Sequence, residues 1–569
     1  MAMRAHRFAI GVLLMSLAGA GVVVAGSAGQ EVVQSAQTPP PPPPRVQNPE
    51  QKALAAAQAL KDPAEKLDAL KKLRADFPKS PLLTSADSAM LDVLVNHWPE
   101  RTDEIREVFD RVVKAAPTAS PDARLALLQR PVTLLLEKKV LLTRAEEEVT
   151  NALEAFDAVK FFEAQIDLAR RTKRPEPSAS TLVGRYKSSR GRGLELLGRI
   201  YAERGDPRAE PTLKEALAAA PTSSPVALQL ANLEAARGDE TAALEHYLLA
   251  ALGIRLKPVD DAAMMRLFRK HRGEGASLDE ELDRIYNRLL PNPVTAQKWT
   301  PTPARTTRLV VAEAFTGSAC GPCVSESLAF QALLDRYPGD AVALLAYHVH
   351  IPGPDPMTTS GSAGRKAYYE VPGVPTFNVD GGRAKLGGGG RENTPDVYAD
   401  YVKAIDKALE TAPRAAMALR ASLDGEKIVV QAELSKIAPD ARDLKLHVVL
   451  AERKLRFSGE NGIRFHEMVV RGMAGKDGVG LPVDGASDRT MTHTFDLAAM
   501  RTDITEGLAA EIARRRKTEA SATPREYLAE GRAMTAFDPH GLVVIAFLQD
   551  GQKTILQGAR VDSVSPRPR

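Results

Sequence analysis

The chain contains two cysteines in 569 residues, and they stand three positions apart, Cys320 and Cys323. A strand-like run, Leu309-Val310-Val311-Ala312-Glu313-Ala314-Phe315, precedes them, and a helical stretch over 322–337 follows. A disulfide-stapled secreted fold spreads several cysteines at wide spacing. A single close pair at a strand-to-helix junction points instead to reactivity. The N–H groups and dipole of a helix start favour negative charge, which lowers the pKa of a thiol placed there. Cys320 therefore reads as the exposed attacking thiolate, and Cys323, one turn inside the helix, as the buried resolving thiol that releases a mixed disulfide. Pro322 suits the first turn, where its missing N–H has no helical partner. Two other readings stay open. One is a zinc site of Cys320, Cys323, His348 and His350. The other is a static disulfide, although so short a loop stabilises little.

The length exceeds what one core supports, about 250–300 residues, so several domains are expected. Arg4, His6 and Arg7, the apolar run Phe8–Ala25 and the small residues Gly26, Ser27 and Ala28 predict a secretory signal peptide over 1–28. An uncleaved N-terminal membrane anchor is the alternative. Periplasmic or secreted localisation follows. Residues 29–48 form a Pro-rich linker, with Pro39–Pro44 favouring a stiff polyproline spacer. The formal net charge of +4 includes Arg4 and Arg7, so no concentrated basic balance marks a nucleic-acid partner.

Residues 49–295 read as helices throughout. Leu197, Ala202, Arg204, Gly205 and Asp206 recur 33 positions later as Leu230, Ala235, Arg237, Gly238 and Asp239. Each copy is followed by a second helix, at 208–220 and 240–252. The pattern resembles tetratricopeptide repeats, which implies an all-α helical-hairpin domain and a protein partner bound on the repeats. A helical spacer without a ligand is the alternative. Residues 300–412 predict the order β-α-β-α-β-β-α. Residues 413–563 predict a mainly-β, sandwich-like domain, opened by a hairpin at Asp424-Gly425 and interrupted by a charged helix over 505–533. The Gly387–Gly390 run reads as a flexible turn. Glu460, His466 and Glu467 read as a structural or solvated group, and the charged run Glu511–Lys517 as a solvated helix face.

A second motif, Val371-Pro372-Gly373-Val374-Pro375-Thr376-Phe377, precedes the third strand of 300–412. Together with Cys320-Gly321-Pro322-Cys323 it resembles the active site and cis-proline loop of the thioredoxin superfamily. That resemblance implies an α/β thioredoxin-like domain, a cis bond before Pro375 packed against the cysteine pair, and substrate binding at Val374, Pro375 and Thr376, with the Val374 backbone pairing to an extended client chain. It implies a thiol–disulfide oxidoreductase with no cofactor or metal beyond the redox-active disulfide, a client protein with a disulfide or thiol, and an electron-donating redox partner. The Gly321-Pro322 interior favours a reductase. A narrower likeness, carried by Phe315-Thr316-Gly317, Tyr347-His348, Asp355-Pro356, Arg365, Tyr368-Tyr369 and Phe457-Ser458-Gly459-Glu460-Asn461-Gly462, is to exported bacterial outer-membrane-protein-related proteins that add a trailing β domain.

Two departures affect the chemistry. Ala319 replaces the usual tryptophan before the first cysteine. Ala314 stands where thioredoxin has a buried aspartate that handles the resolving thiol's proton, and Glu313 points to the other face of the strand. His348 and His350, at the end of the second strand, are the candidate supporting residues for compensation; the alternative is that one is a packed or solvent residue and neither tunes the thiols. The alternative to an enzyme is a non-catalytic interaction scaffold with a vestigial thioredoxin fold.

Overall fold

The computed structural model describes residues 48–115, 121–254, 256–386, 388–475, 478–485, 487–518, 534–562 and 564–566. The predicted signal segment 1–28, the predicted linker up to residue 47, Gly387 and the 519–533 part of the predicted helical insertion lie outside the described residues.

Among the described residues, thirteen helices run from α1 (Pro49–Ala59) to α13 (Leu278–Leu289). The repeated segment forms two helical hairpins, α8 (Ala179–Glu203) with α9 (Ala209–Ala219), and α10 (Ser224–Arg237) with α11 (Glu240–Gly253). The repeated glycines explain the sequence period. Gly205 and Gly238 both end a helix with positive φ, 65° and 83°, which other residues adopt at a cost. The repeated leucines Leu197 and Leu230 lie in the shared helical core.

Among the described residues the remainder is built on two sheets, one of nine strands and one of four. β1 (Val310–Thr316) pairs in parallel with β2 (Val342–His348) and antiparallel with β3 (Thr376–Val379), and β3 pairs with β4 (Gly382–Leu386). The β3–β4 turn is Asp380-Gly381, both with positive φ, as a two-residue hairpin loop requires. Helices α14 (Cys323–Arg336), α15 (Ser360–Tyr368) and α16 (Thr394–Leu409) complete this part in the expected order.

The trailing β region departs from expectation. A sandwich is present, but one of its two sheets is not its own. β5 (Ala416–Asp424), β6 (Lys427–Ser435), β10 (Arg489–Asp496) and β13 (Ser565–Pro566) form a four-stranded layer. The facing layer, β7 (Leu444–Arg456), β8 (Phe465–Met473), β9 (Leu481–Val483), β11 (Leu542–Gln549) and β12 (Ile555–Val561), continues directly into the first sheet, because β8 lies parallel beside β2 with Ala346 opposite Val469. The order across is β12-β11-β7-β8-β2-β1-β3-β4, with β9 on β7. A boundary at 412/413 therefore does not separate two cores.

The cause is legible in β11, Leu542-Val543-Val544-Ile545-Ala546-Phe547-Leu548, which is buried at every position. Val543, Ile545 and Phe547 enter the core under β1 and β2, while Leu542, Val544, Ala546 and Leu548 enter the core shared with β6. A strand buried on both faces carries a continuous apolar run rather than an alternating one. The predicted helical insertion is α17 (Leu497–Thr518), which starts eight residues earlier than the sequence suggested.

Candidate redox site

Cys323 is the first residue of α14, and Cys320 closes a disulfide to it. The peptide bond between Val374 and Pro375 is cis, and the Val374 carbonyl oxygen lies 3.9 Å from Cys320 Sγ. Cys323 is fully buried, as expected. Cys320 is not the exposed group expected of it: 4% of its surface is accessible, and the exposed part of the motif is Gly321-Pro322. The first N–H groups of α14 are also in use. Those of Cys323 and Val324 reach the carbonyls of Cys320 and Gly321, and that of Ser325 reaches Gly389. Any stabilisation of a Cys320 thiolate therefore comes from the dipole of the helix start rather than from an unused N–H.

Thr376 is buried, and its hydroxyl donates to the Gly373 carbonyl at 2.7 Å. That hydrogen bond braces the loop. Pro375 is buried and Val374 half-buried. Gly388 and Gly389, expected to be a flexible turn, are a close approach. The Gly389 N–H donates to the Pro322 carbonyl at 2.8 Å, and a Cβ on Gly388 would stand 2.2 Å from that same oxygen.

His348 and His350 do not form a free base beside the sulfurs. His348 Nδ1 lies 2.9 Å from Asp355 Oδ2, and His350 Nδ1 accepts the Asp355 N–H at 3.0 Å. Their route to the redox loop runs through Asp355, whose carboxylate accepts the Ser318 N–H at 2.7 Å and the Met357 N–H at 2.8 Å. Burial would raise the Asp355 pKa, but His348 and these N–H groups outweigh it and hold the carboxyl well below its usual range.

The residue that sequence reasoning missed is Glu326, one helical turn after Cys323 on the same face. It is fully buried, and neither carboxyl oxygen has a hydrogen-bond partner among the described residues. Burial pushes its pKa well above the carboxylate norm. The nearby Thr316 hydroxyl opposes this, but it falls short of hydrogen-bond geometry. Glu326 lines a cavity of about 20 Å³ together with Ala314, Thr316, Ala346, His348 and His466. Glu326 and Ala314 thus line the same cavity, one from the helix and the other from the strand. The available signal was a glutamate in the first turn of a helix whose neighbours Cys323, Val324, Leu328 and Ala329 all read as buried.

His466, in β8, packs edge-on against His348 at 5.1 Å and has Nε2 3.0 Å from the Phe457 carbonyl. Burial, aided by the neighbouring His348, lowers its pKa to about 3. Glu467 is raised by burial to about 7. Among the described residues no group of three or more His, Cys, Asp or Glu side chains is placed to hold a metal ion. On the opposite face of the sheet, Glu313 and Arg365 form a fully buried ion pair at 2.8 and 3.0 Å. The hydroxyls of Tyr347 and Tyr369 donate to the same carboxylate, and Gln549 of β11 accepts from Arg365 at 2.9 Å. The scattered residues of the narrower likeness, Tyr347, Arg365 and Tyr369, are thus one cluster that pins α15 beneath the sheet and reaches the trailing strands.

These features define a chain of helical hairpins joined to a mixed α/β sheet that carries a single cysteine pair at a strand-to-helix turn. No protein-family model matches the chain, and no curated protein matches it. Among solved structures it is similar to HBP35 of Porphyromonas gingivalis, at 14% identity over 46% of this chain and 78% of that one, with a TM-score of 0.32. It is also similar to the pilF protein of Pseudomonas aeruginosa, at 17% identity over 42% and 92% with a TM-score of 0.25. A MamA RS-1 ArsTM double mutant aligns at 17% identity over 40% and 96%, with a TM-score of 0.22.

Proposed function

We propose that the protein is an exported thiol–disulfide oxidoreductase with a thioredoxin-like centre, reducing or exchanging disulfides in client proteins. Its helical hairpins would bind a protein partner. The observation that carries the reading is the Cys320–Cys323 disulfide at the start of α14 with the cis Val374–Pro375 bond beside it. In the reductive direction, the Cys320 thiolate attacks one sulfur of a client disulfide, forming a mixed disulfide and expelling a client thiolate. Cys323 then loses its proton, attacks Cys320 Sγ and releases the second client thiolate. Two electrons pass from the dithiol to the client, and an electron-donating dithiol partner restores the pair. Glu326 is the group in this reading that exchanges the Cys323 proton. A buried carboxyl of raised pKa suits that task better than an ordinary one.

The burial of Cys320 favours a second reading, a scaffold whose disulfide does not turn over. Insulin-disulfide reduction by the mature chain, beside Cys320→Ser, separates the two. Activity lost in the variant supports the enzyme. No activity above the variant, with a pair that glutathione or dithiothreitol cannot poise, leaves the scaffold.

A further inference from the structure

The segment Phe457-Ser458-Gly459-Glu460-Asn461-Gly462 lies more than a hundred residues beyond the cysteines and belongs to the β7–β8 connection. It nevertheless closes over the redox loop. The Asn461 N–H donates to the Ser318 carbonyl at 3.1 Å. The Asn461 side-chain amide nitrogen donates to the carbonyls of Gly317 and Cys320, each at 3.3 Å. The amide orientation is fixed independently, because Asn461 Oδ1 accepts the Ile463 N–H at 3.1 Å. Gly459 is pressed so close that a Cβ would stand 2.6 Å from the Ser318 carbonyl oxygen. The far side of the connection is anchored by Arg464, itself 3% exposed, which donates to Ser458 Oγ at 2.8 Å and pairs with Asp279 and Asp283 of α13 at 3.0 and 2.5 Å.

We propose that Asn461 is a positioning residue of the redox centre, holding the Gly317–Cys320 turn in the shape that the closed disulfide takes. This rests on the oxidoreductase reading for its purpose, but not for its test. The two carbonyls that Asn461 grips are the same ones that accept the N–H groups of Cys320 and Cys323, both at 3.1 Å. The amide therefore completes the hydrogen bonding of the turn that joins the two sulfurs. It contacts backbone oxygens and not sulfur, so its loss offers no compensating effect on the thiolate. It acts by favouring the closed form over any form in which the turn relaxes.

The test is the thiol–disulfide equilibrium of the full chain against glutathione, read for Asn461→Ala and Asn461→Asp. The aspartate keeps the acceptor for the Ile463 N–H but turns an oxygen towards the two carbonyls. Both variants are expected to shift the equilibrium towards the dithiol by about tenfold, equivalent to about 30 mV for a two-electron couple, with an unchanged far-ultraviolet spectrum. Equilibria within twofold of the parent in folded variants would overturn the proposal. So would failure of both variants to fold, which would make Asn461 a structural residue only. A shifted equilibrium in a chain that never reduces insulin would uphold the positioning role and sink the enzyme. Insulin reduction with an unshifted equilibrium would do the reverse.

Discussion

Replacing Glu326 should make the protein more stable and its redox chemistry slower. The carboxyl is fully buried, and both oxygens lack a hydrogen-bond partner among the described residues. An unsatisfied buried polar group costs about 1–3 kcal/mol. Leucine is close in size and removes the polar atoms, so Glu326→Leu should recover about 2 kcal/mol of that cost. For a cooperative unit of about 150–250 residues this corresponds to a melting-temperature rise of about 4–8 °C. The pH dependence has a definite sign. A folded pKa raised above the unfolded value means that the native state binds more protons, so the parent loses stability as pH rises from the ordinary carboxylate range through the folded pKa. The advantage of the leucine variant should therefore be larger at pH 8 than at pH 5. The kinetic half of the argument uses the same residue. Cys320 is loaded as a mixed disulfide with thionitrobenzoate, and release of the dye reports attack by Cys323. Loss of a positioned proton acceptor typically slows such a step about 10²–10⁴-fold, and Glu326→Gln should show the same slowing without the full gain in stability. A less stable leucine variant whose dye release stays within threefold of the parent would refute both halves.

Arg365→Met leaves the Glu313 carboxylate buried without its cation, which costs about 3–5 kcal/mol. The expected fall in melting temperature is about 6–20 °C, and most of it should return in the double variant Glu313→Leu/Arg365→Met; calorimetry of the two variants beside the parent decides this. His466 has a folded pKa of about 3, below that of an unfolded imidazole, so its contribution to stability is complete at neutral pH and drains away as pH falls below about 6.5. By pH 5 the loss is about 2 kcal/mol. His466→Gln should flatten the acid side of a melting-temperature–pH curve by that amount, and identical curves would count against the burial argument.

The parts of the fold that could be read from sequence are those in which one element announces itself locally. The repeated Gly205 and Gly238 mark helix ends, Gly381-Gly382 announces a hairpin whose turn falls one residue earlier, at Asp380-Gly381, and the order of elements around Cys320 follows from periodicity alone. What escaped is non-local. Nothing in Phe465–Met473 says that this strand lies beside β2, because parallel neighbours leave no turn between them. The apolar run of β11 is legible as a strand, but the run alone does not distinguish one sandwich core from two cores on two faces. At the site, the cysteine pair declared itself through spacing, and the proline loop only through its resemblance to a known family. Glu326 did not, since a glutamate near the start of a helix is usually there to favour the dipole from solvent. Only the packing of α14 on β1 shows that it faces inward. His348 ends β2 and His350 lies two residues beyond it, yet the group they address, Asp355, comes from a loop whose path the sequence does not disclose.

The join between the two β regions bears directly on the chemistry. Without β8, β2 would be the open edge of a four-stranded sheet, and its all-apolar sequence Val342-Ala343-Leu344-Leu345-Ala346 would invite pairing with other chains. Covering that edge places the β7–β8 connection at the carboxyl ends of β1 and β2, where the cysteine turn lies, and brings Phe465 and His466 to the cavity that Glu326 lines. On the other side, Gly388 and Gly389 meet Pro322, while Glu392 and Asn393, immediately after them, meet α8. There Thr181 donates to the Glu392 carbonyl at 3.1 Å and Arg185 to Asn393 Oδ1 at 2.8 Å. The cysteine turn is thus held between one loop braced by the helical hairpins and another supplied by the trailing sheet. A turn held from both sides has little freedom of its own, so the low accessibility of Cys320 follows from the assembly around the motif and not from the motif itself.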